Sequence, residues 1–139
     1  MNFDLSIKGN CILSAEDNDV NQMVLQHTLD EQHLPYMIVD NGQRAYEAWK
    51  ALDPLIILMD ISMPIMNGMD AIALIRQEEQ QTGKHVPIVA LTAHALKGDE
   101  ERFREAGADH YMSKPLNPSM LLETIDRVLN AQKNSVLLP

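Results

Sequence analysis

Residues Leu55-Ile56-Ile57-Leu58-Met59-Asp60-Ile61-Ser62-Met63-Pro64, LIILMDISMP, run five apolar side chains without a break into a carboxylate, and the pattern stops at a proline. An unbroken apolar run of strand length marks a strand covered on both faces, as in a parallel sheet. Packing asks for no charge at the end of such a strand. Asp60 therefore poses a question of function.

Apolar runs of similar length recur at residues 11–15, 36–39, 87–91 and 110–113, with helix-period segments between them. Ala45, Ala48, Trp49 and Leu52 fall at i, i+3, i+4 and i+7. Val20, Met23, Val24 and His27 repeat that stripe on the first helix, which makes His27 a packed core histidine. The last helix starts at Asn117-Pro118, an N-cap followed by proline at the first helical position, and turns Leu121, Ile125, Val128 and Leu129 inward. Alternating strands and helices predict an α/β fold, a three-layer sandwich with helices on both faces of a parallel sheet. Residues 94–106, HALKGDEERFREA, carry Leu96 and Phe103 among charges, so this helix is the one expected to be least firmly anchored.

The 139 residues suit one domain that buries roughly 68–70% of the surface of the unfolded chain. No run of eighteen apolar residues and no apolar leader occurs, and the single cysteine, Cys11, sits in an apolar run; a cytoplasmic, reduced protein is expected. Lys and Arg total 11 against 20 Asp and Glu, a net charge of −9 that disfavours direct contact with nucleic acid or an anionic membrane.

In open parallel sheets ligands bind beyond the carboxyl ends of the strands. The residues following the apolar runs are Glu16-Asp17, Asp60, Thr92 and Lys114, all directed at one rim. Two like charges about 4 Å apart cost roughly 4 kcal/mol at an effective dielectric of 20, so three carboxylates there need a cation or a shared proton. Every candidate ligand is an oxygen, which points to magnesium, or manganese in its place. With the repulsion screened, Asp60 can attack phosphorus, while Lys114 and Thr92 supply a charge and a hydroxyl to the incoming phosphoryl oxygens.

The segments ILSAEDNDVNQ, LIILMDISMPIMNG, VPIVALTAHALKGD and EAGADHYMSKPL, in this order and spacing, resemble the receiver domain of two-component response regulators over nearly the whole chain. The resemblance implies a flavodoxin-like (CheY-like) three-layer α/β/α sandwich with a five-stranded parallel sheet of order 2-1-3-4-5. It implies that Asp60 is the phosphorylated aspartate, that Asp17 binds magnesium directly and Glu16 through water, and that the backbone carbonyl of Ser62 completes the ligands. Lys114 then pairs with the phosphoryl group, before a Lys114-Pro115 bond that is usually cis in the family. Thr92 and Tyr111 match the switch pair, and Ser62 and His94 match positions that tune loss of the phosphoryl group, although His94 also reads as an exposed helix-start residue. The donor is a histidine kinase or a histidine phosphotransfer protein. The output surface is the face of the fourth helix, fifth strand and fifth helix, acting on a protein target that the sequence does not name.

Residues 1–10 read as an N-terminal extension, 11–131 as the receiver unit and 132–139 as a tail or linker remnant. No helix-turn-helix or catalytic region follows Ala131, so either a stand-alone regulator or a receiver from a hybrid histidine kinase is expected. Three other functions compete with this reading. A phosphatase of the haloacid dehalogenase type wants a second aspartate where Ser62 stands, and a flavin module would meet the repulsive Glu16-Asp17-Asn18-Asp19. A phosphorylation-independent pseudo-receiver is the remaining alternative, against which stand the five family positions, all present. His33, His85 and His110 show no ligand spacing, Met59 reads as core, and Met63, Met66 and Met69 read as adaptable partner contacts.

Overall fold

In the computed structural model, strands β1 (Ile12–Ala15), β2 (Tyr36–Val39), β3 (Ile56–Asp60), β4 (Ile88–Thr92) and β5 (His110–Ser113) form one parallel sheet in the order β2-β1-β3-β4-β5. Helices α1 (Asp19–Asp30), α2 (Gly42–Leu52), α3 (Gly68–Thr82), α4 (Asp99–Ala106) and α5 (Pro118–Leu137) alternate with them, and a short 3-10 turn, Leu5–Ile7, precedes β1. The structure describes residues 3–32, 34–93 and 98–137, the stretch 132–137 as backbone. None of the described helices is long and apolar enough to cross a membrane.

The three inner strands β1, β3 and β4 are buried at every position, whereas the edge strands β2 and β5 are only partly covered. That difference explains why the inner strands read as continuous apolar runs. The core has two halves. On one face Leu13, Ile57, Met59 and Ala90 pack beneath α2, α3 and Phe103 of α4. On the other, Ile12, Leu58, Val89 and Met112 pack beneath Leu25 and Leu29 of α1 and Leu121, Ile125 and Val128 of α5.

Asparagine starts four of the helices. Asn18, Asn41, Asn67 and Asn117 each accept, through the side-chain oxygen, the backbone N–H three residues on, satisfying one of the free amides of the first turn. Helix α4 begins instead at Gly98, in the left-handed region and without a side-chain cap, and of its residues only Phe103 is buried.

The inward stripe of α1 differs from the expectation. Val20 and Met23 are both 66% exposed and His27 is exposed, while Leu25, Thr28 and Leu29 are buried and Val24 is partly so. The helix turns its two leucines to the sheet and leaves the imidazole in water, where it needs no buried hydrogen-bond partner. Of the three methionines after β3, Met63 alone is corrected. Met63 is buried and Met66 and Met69 pack against the core, so the exposed apolar residue of that loop is Ile65, at 84%. The cause is a tight turn in which Met66 N–H donates to Pro64 O at 2.7 Å, with Ile65 at its tip.

Candidate functional site

The sheet order places β1 next to β3, with the connection from β1 leading to β2 on one side and that from β3 leading to β4 on the other. Between these diverging loops lies a crevice at the carboxyl ends of the strands. Glu16 follows β1 and Asp60 ends β3; they are 0% and 1% exposed, whereas Asp17 reaches solvent. One oxygen from each of Glu16, Asp17 and Asp60 lies within 4.8 Å of the others.

Lys114 comes from just beyond β5, two places from β3 in the sheet, and only a long side chain spans that gap. Its Nζ stands 2.8 Å from Glu16 Oε1 and 2.9 Å from Asp60 Oδ2. The other oxygen of each buried carboxylate is held by the backbone two residues later: Asn18 N–H donates to Glu16 Oε2 at 3.1 Å, and Ser62 N–H donates to Asp60 Oδ1 at 3.0 Å. Gln22 Nε2 donates to the Glu16 carbonyl at 2.5 Å. Each carboxylate thus has one oxygen fixed and one aimed into the crevice.

Among the described residues, three carboxylates face one ammonium. Burial, with the neighbouring Asp60 carboxylate, pushes the Glu16 carboxyl up to about 7 from its ordinary 4.5, against the lowering pull of Lys114 and the Asn18 amide. Burial by itself would lower Lys114, but Glu16 and Asp60 more than offset it and hold the ammonium charged. The donor set suits a hard divalent cation: all oxygen, in excess negative charge, with Glu16 Oε1 and Asp60 Oδ2 buried and reached by the ammonium alone among the described groups.

Thr92 is 3% exposed at the end of β4, beside the cluster because Asp60 pairs with Leu91 in the sheet. Tyr111 lies on β5, on the same face of the sheet as Thr92, and stands outside the cluster. The residue is 37% exposed, and its ring lies 6.2 Å from that of Phe103. The side chain of Ser62 is exposed, the Lys114-Pro115 bond is cis, and His94 lies outside the described residues.

Sequence reasoning did not single out Asn18 and Gln22, which fix Glu16, although both fall inside the first quoted segment. Their offsets of two and six from Glu16, across a strand end and the first turn of a helix, are the signal. It also passed over the network beneath the sheet, where Arg76 joins Glu79 at 2.5 Å, Asp109 at 2.8 Å and the Gly107 carbonyl at 2.8 Å, and His85 Nε2 stands 2.7 Å from Asp109.

A family model for the response regulator receiver domain matches residues 12–126. The chain is 42% identical over 120 residues to hybrid signal transduction histidine kinase I of Dictyostelium discoideum, covering 83% of the present chain and 7% of that protein. It is 31% identical over 118 residues to the polar-differentiation response regulator DivK of Brucella anthropi, covering 85% of this chain and 94% of that one. The chain therefore spans a small part of one curated relative and nearly all of the other. Among solved structures, the receiver domain of a Pseudomonas aeruginosa sensor histidine kinase, with magnesium coordinated in its active-site cleft, superposes with a TM-score of 0.77 at 36% identity over 88% of this chain and 98% of that one. The co-crystal of the Saccharomyces cerevisiae phosphotransfer protein Ypd1 with the receiver domain of Ssk1 gives 0.82 at 30% identity, covering 91% and 92%.

Proposed function

The chain belongs to the response regulator receiver family, and from that premise we propose that Asp60 accepts a phosphoryl group from a phosphohistidine of a histidine kinase or histidine phosphotransfer protein. The observation that carries this reading is the buried Asp60 carboxylate, with one oxygen held by the Ser62 amide and the other 2.9 Å from Lys114, inside a cluster of three carboxylates. A carboxylate oxygen of Asp60 attacks phosphorus; the new P–O bond forms as the P–N bond to the donor imidazole breaks, and the imidazole leaves with a proton from solvent.

Glu16, Asp17 and Asp60, with the backbone carbonyl of Ser62, would hold magnesium or manganese, which supplies the charge neutralisation that lets an anionic nucleophile meet an anionic phosphoryl group. Lys114 and Thr92 stabilise the phosphoryl oxygens. A phosphoryl group adds about −1.5 to −2 charge, and hydrogen bonds drawn to it from Thr92 and Lys114 bias the packing of α4 and the ring of Tyr111. The α4–β5–α5 face then presents the signal to a protein target. The domain catalyses only its own phosphorylation and its return, the latter tuned at Ser62 and His94.

The same reading takes 11–131 as the receiver unit, flanked by residues 1–10 and by a C-terminal segment 132–139 that begins within α5, and places the domain in the cytoplasm. The test is intact mass after incubation with acetyl phosphate, with and without magnesium, for the wild type and Asp60→Asn. A magnesium-dependent gain of one phosphoryl group in the wild type alone is the expected result. A folded wild type that binds magnesium and gains nothing, or an Asp60→Asn protein that gains as much, overturns it.

A further inference from the structure

Ile65 has φ of 68°, and the bond from Met66 N–H to Pro64 O closes a three-residue turn around it. A β-branched residue there is a strained arrangement, and such turns persist only where neighbouring structure holds them. The loop carrying this turn is the one that leads from Asp60 through Ser62 to α3. Little of the side chain of Ile65 is available to hold it, since it is 84% exposed.

The neighbour that holds the turn is the start of α2. Gly42 N–H donates to Met66 O at 2.8 Å, and the approach is so close that a Cβ on Gly42 would lie 2.3 Å from that oxygen and 2.8 Å from the carbonyl oxygen of Asn67. Gly42 is itself fixed, because Asn41 caps the helix through Arg44 N–H at 2.9 Å and is 6% exposed. At the far end of the loop Gly68 N–H donates to Ile61 O at 3.3 Å, and a Cβ on Gly68 would lie 2.2 Å from Asp60 O. The loop is thus gripped on both sides by backbone contacts that admit only glycine.

We infer that Gly42 is a positioning residue for phosphoryl transfer: through Met66 it clamps the strained turn and so fixes the Ser62 backbone against Asp60. The inference rests on the function proposed above. Reaction geometry is sensitive on this scale, a displacement of about 1 Å costing up to about a hundredfold in rate. A methyl group at Gly42 forces the Met66 carbonyl to yield by roughly that distance.

The test compares Gly42→Ala with Ile125→Val, a core change on the opposite face of the sheet, in phosphorylation rate from acetyl phosphate at saturating magnesium, magnesium affinity, and the amide spectrum. For Gly42→Ala the rate is expected to fall about tenfold or more, with the Ser62 and Met66 amide resonances displaced. Ile125→Val is expected to lower the melting temperature and leave the rate within about twofold. A folded Gly42→Ala protein that is phosphorylated within twofold of wild type overturns the clamp. Should that variant not fold, magnesium titration of the wild type decides: the Gly42 and Ser62 amides shift together if the clamp exists, and a shift at Ser62 with Gly42 unmoved overturns it. A wild type that takes up no phosphoryl group defeats the parent reading instead, and the amide titration still judges the clamp.

Discussion

Replacing Lys114 with methionine keeps the length of the stem and removes the ammonium that bridges Glu16 and Asp60. The lysine side chain is 14% exposed and stands 2.8 and 2.9 Å from two carboxylates that are themselves buried. At an effective dielectric of 20 each pair is worth about 6 kcal/mol of gross attraction. The loss cannot reach that sum, because the cluster takes up a proton instead. Protonating Glu16 in the folded cluster, where its carboxyl sits at about 7, costs about 1.4 kcal/mol at pH 8, and at pH 5.5 it already carries the proton. Asp60 still loses its buried partner, and removing one partner of a buried ion pair typically costs about 3–5 kcal/mol. Urea unfolding of metal-free wild type and Lys114→Met is therefore expected to differ by about 3–5 kcal/mol at pH 8 and by about 1.4 kcal/mol less at pH 5.5, where Glu16 is protonated in both proteins. Magnesium should restore part of the loss at pH 8. An equal loss at both pH values would refute the reasoning, since it would trace the effect to packing of the lysine stem.

The raised pKa of Glu16 works in the same direction: between 4.5 and about 7 the folded, metal-free protein binds more protons than the unfolded chain, so its contribution is present below pH 4.5 and lost as pH rises through 7. Melting in EDTA is expected to show up to about 3 kcal/mol of lost stability across that window in wild type, and a flatter profile in Glu16→Gln; identical slopes would contradict it. Gly68→Ala places a Cβ 2.2 Å from Asp60 O and should cost at least about 2 kcal/mol by urea unfolding. Ile65→Gly relieves the positive φ of an exposed side chain and is expected to stabilise by about 0.5–1 kcal/mol in a thermal melt, with a loss counting against strain at that turn. Arg76→Met leaves Glu79, 4% exposed, without its cation; a cost of about 3 kcal/mol is expected, partly recovered in Arg76→Met with Glu79→Gln.

Local pattern made the inner strands and the last helix legible, because a strand buried on both faces must be apolar throughout and a capping asparagine leaves its mark at one position. Helix α1 was harder: two overlapping stripes compete there, and the choice of Leu25 and Leu29 over Val20 and Met23 depends on how the helix seats on the sheet. The inward turn of Met63 was hidden for a similar reason, since a turn at Ile65 decides which side chains of that loop face the core.

By itself the sequence determined the alternation of strands and helices, the four polar strand ends and the family to which their spacing belongs. Each is a property of neighbours along the chain, where periodicity and side-chain chemistry act directly. Only the tertiary structure decided that Lys114 reaches both buried carboxylates, that backbone amides two residues on fix their other oxygens, and that Gly42 presses on Met66. Those contacts join elements far apart in sequence, and their distances follow from strand order, helix seating and backbone approach, which no local pattern records.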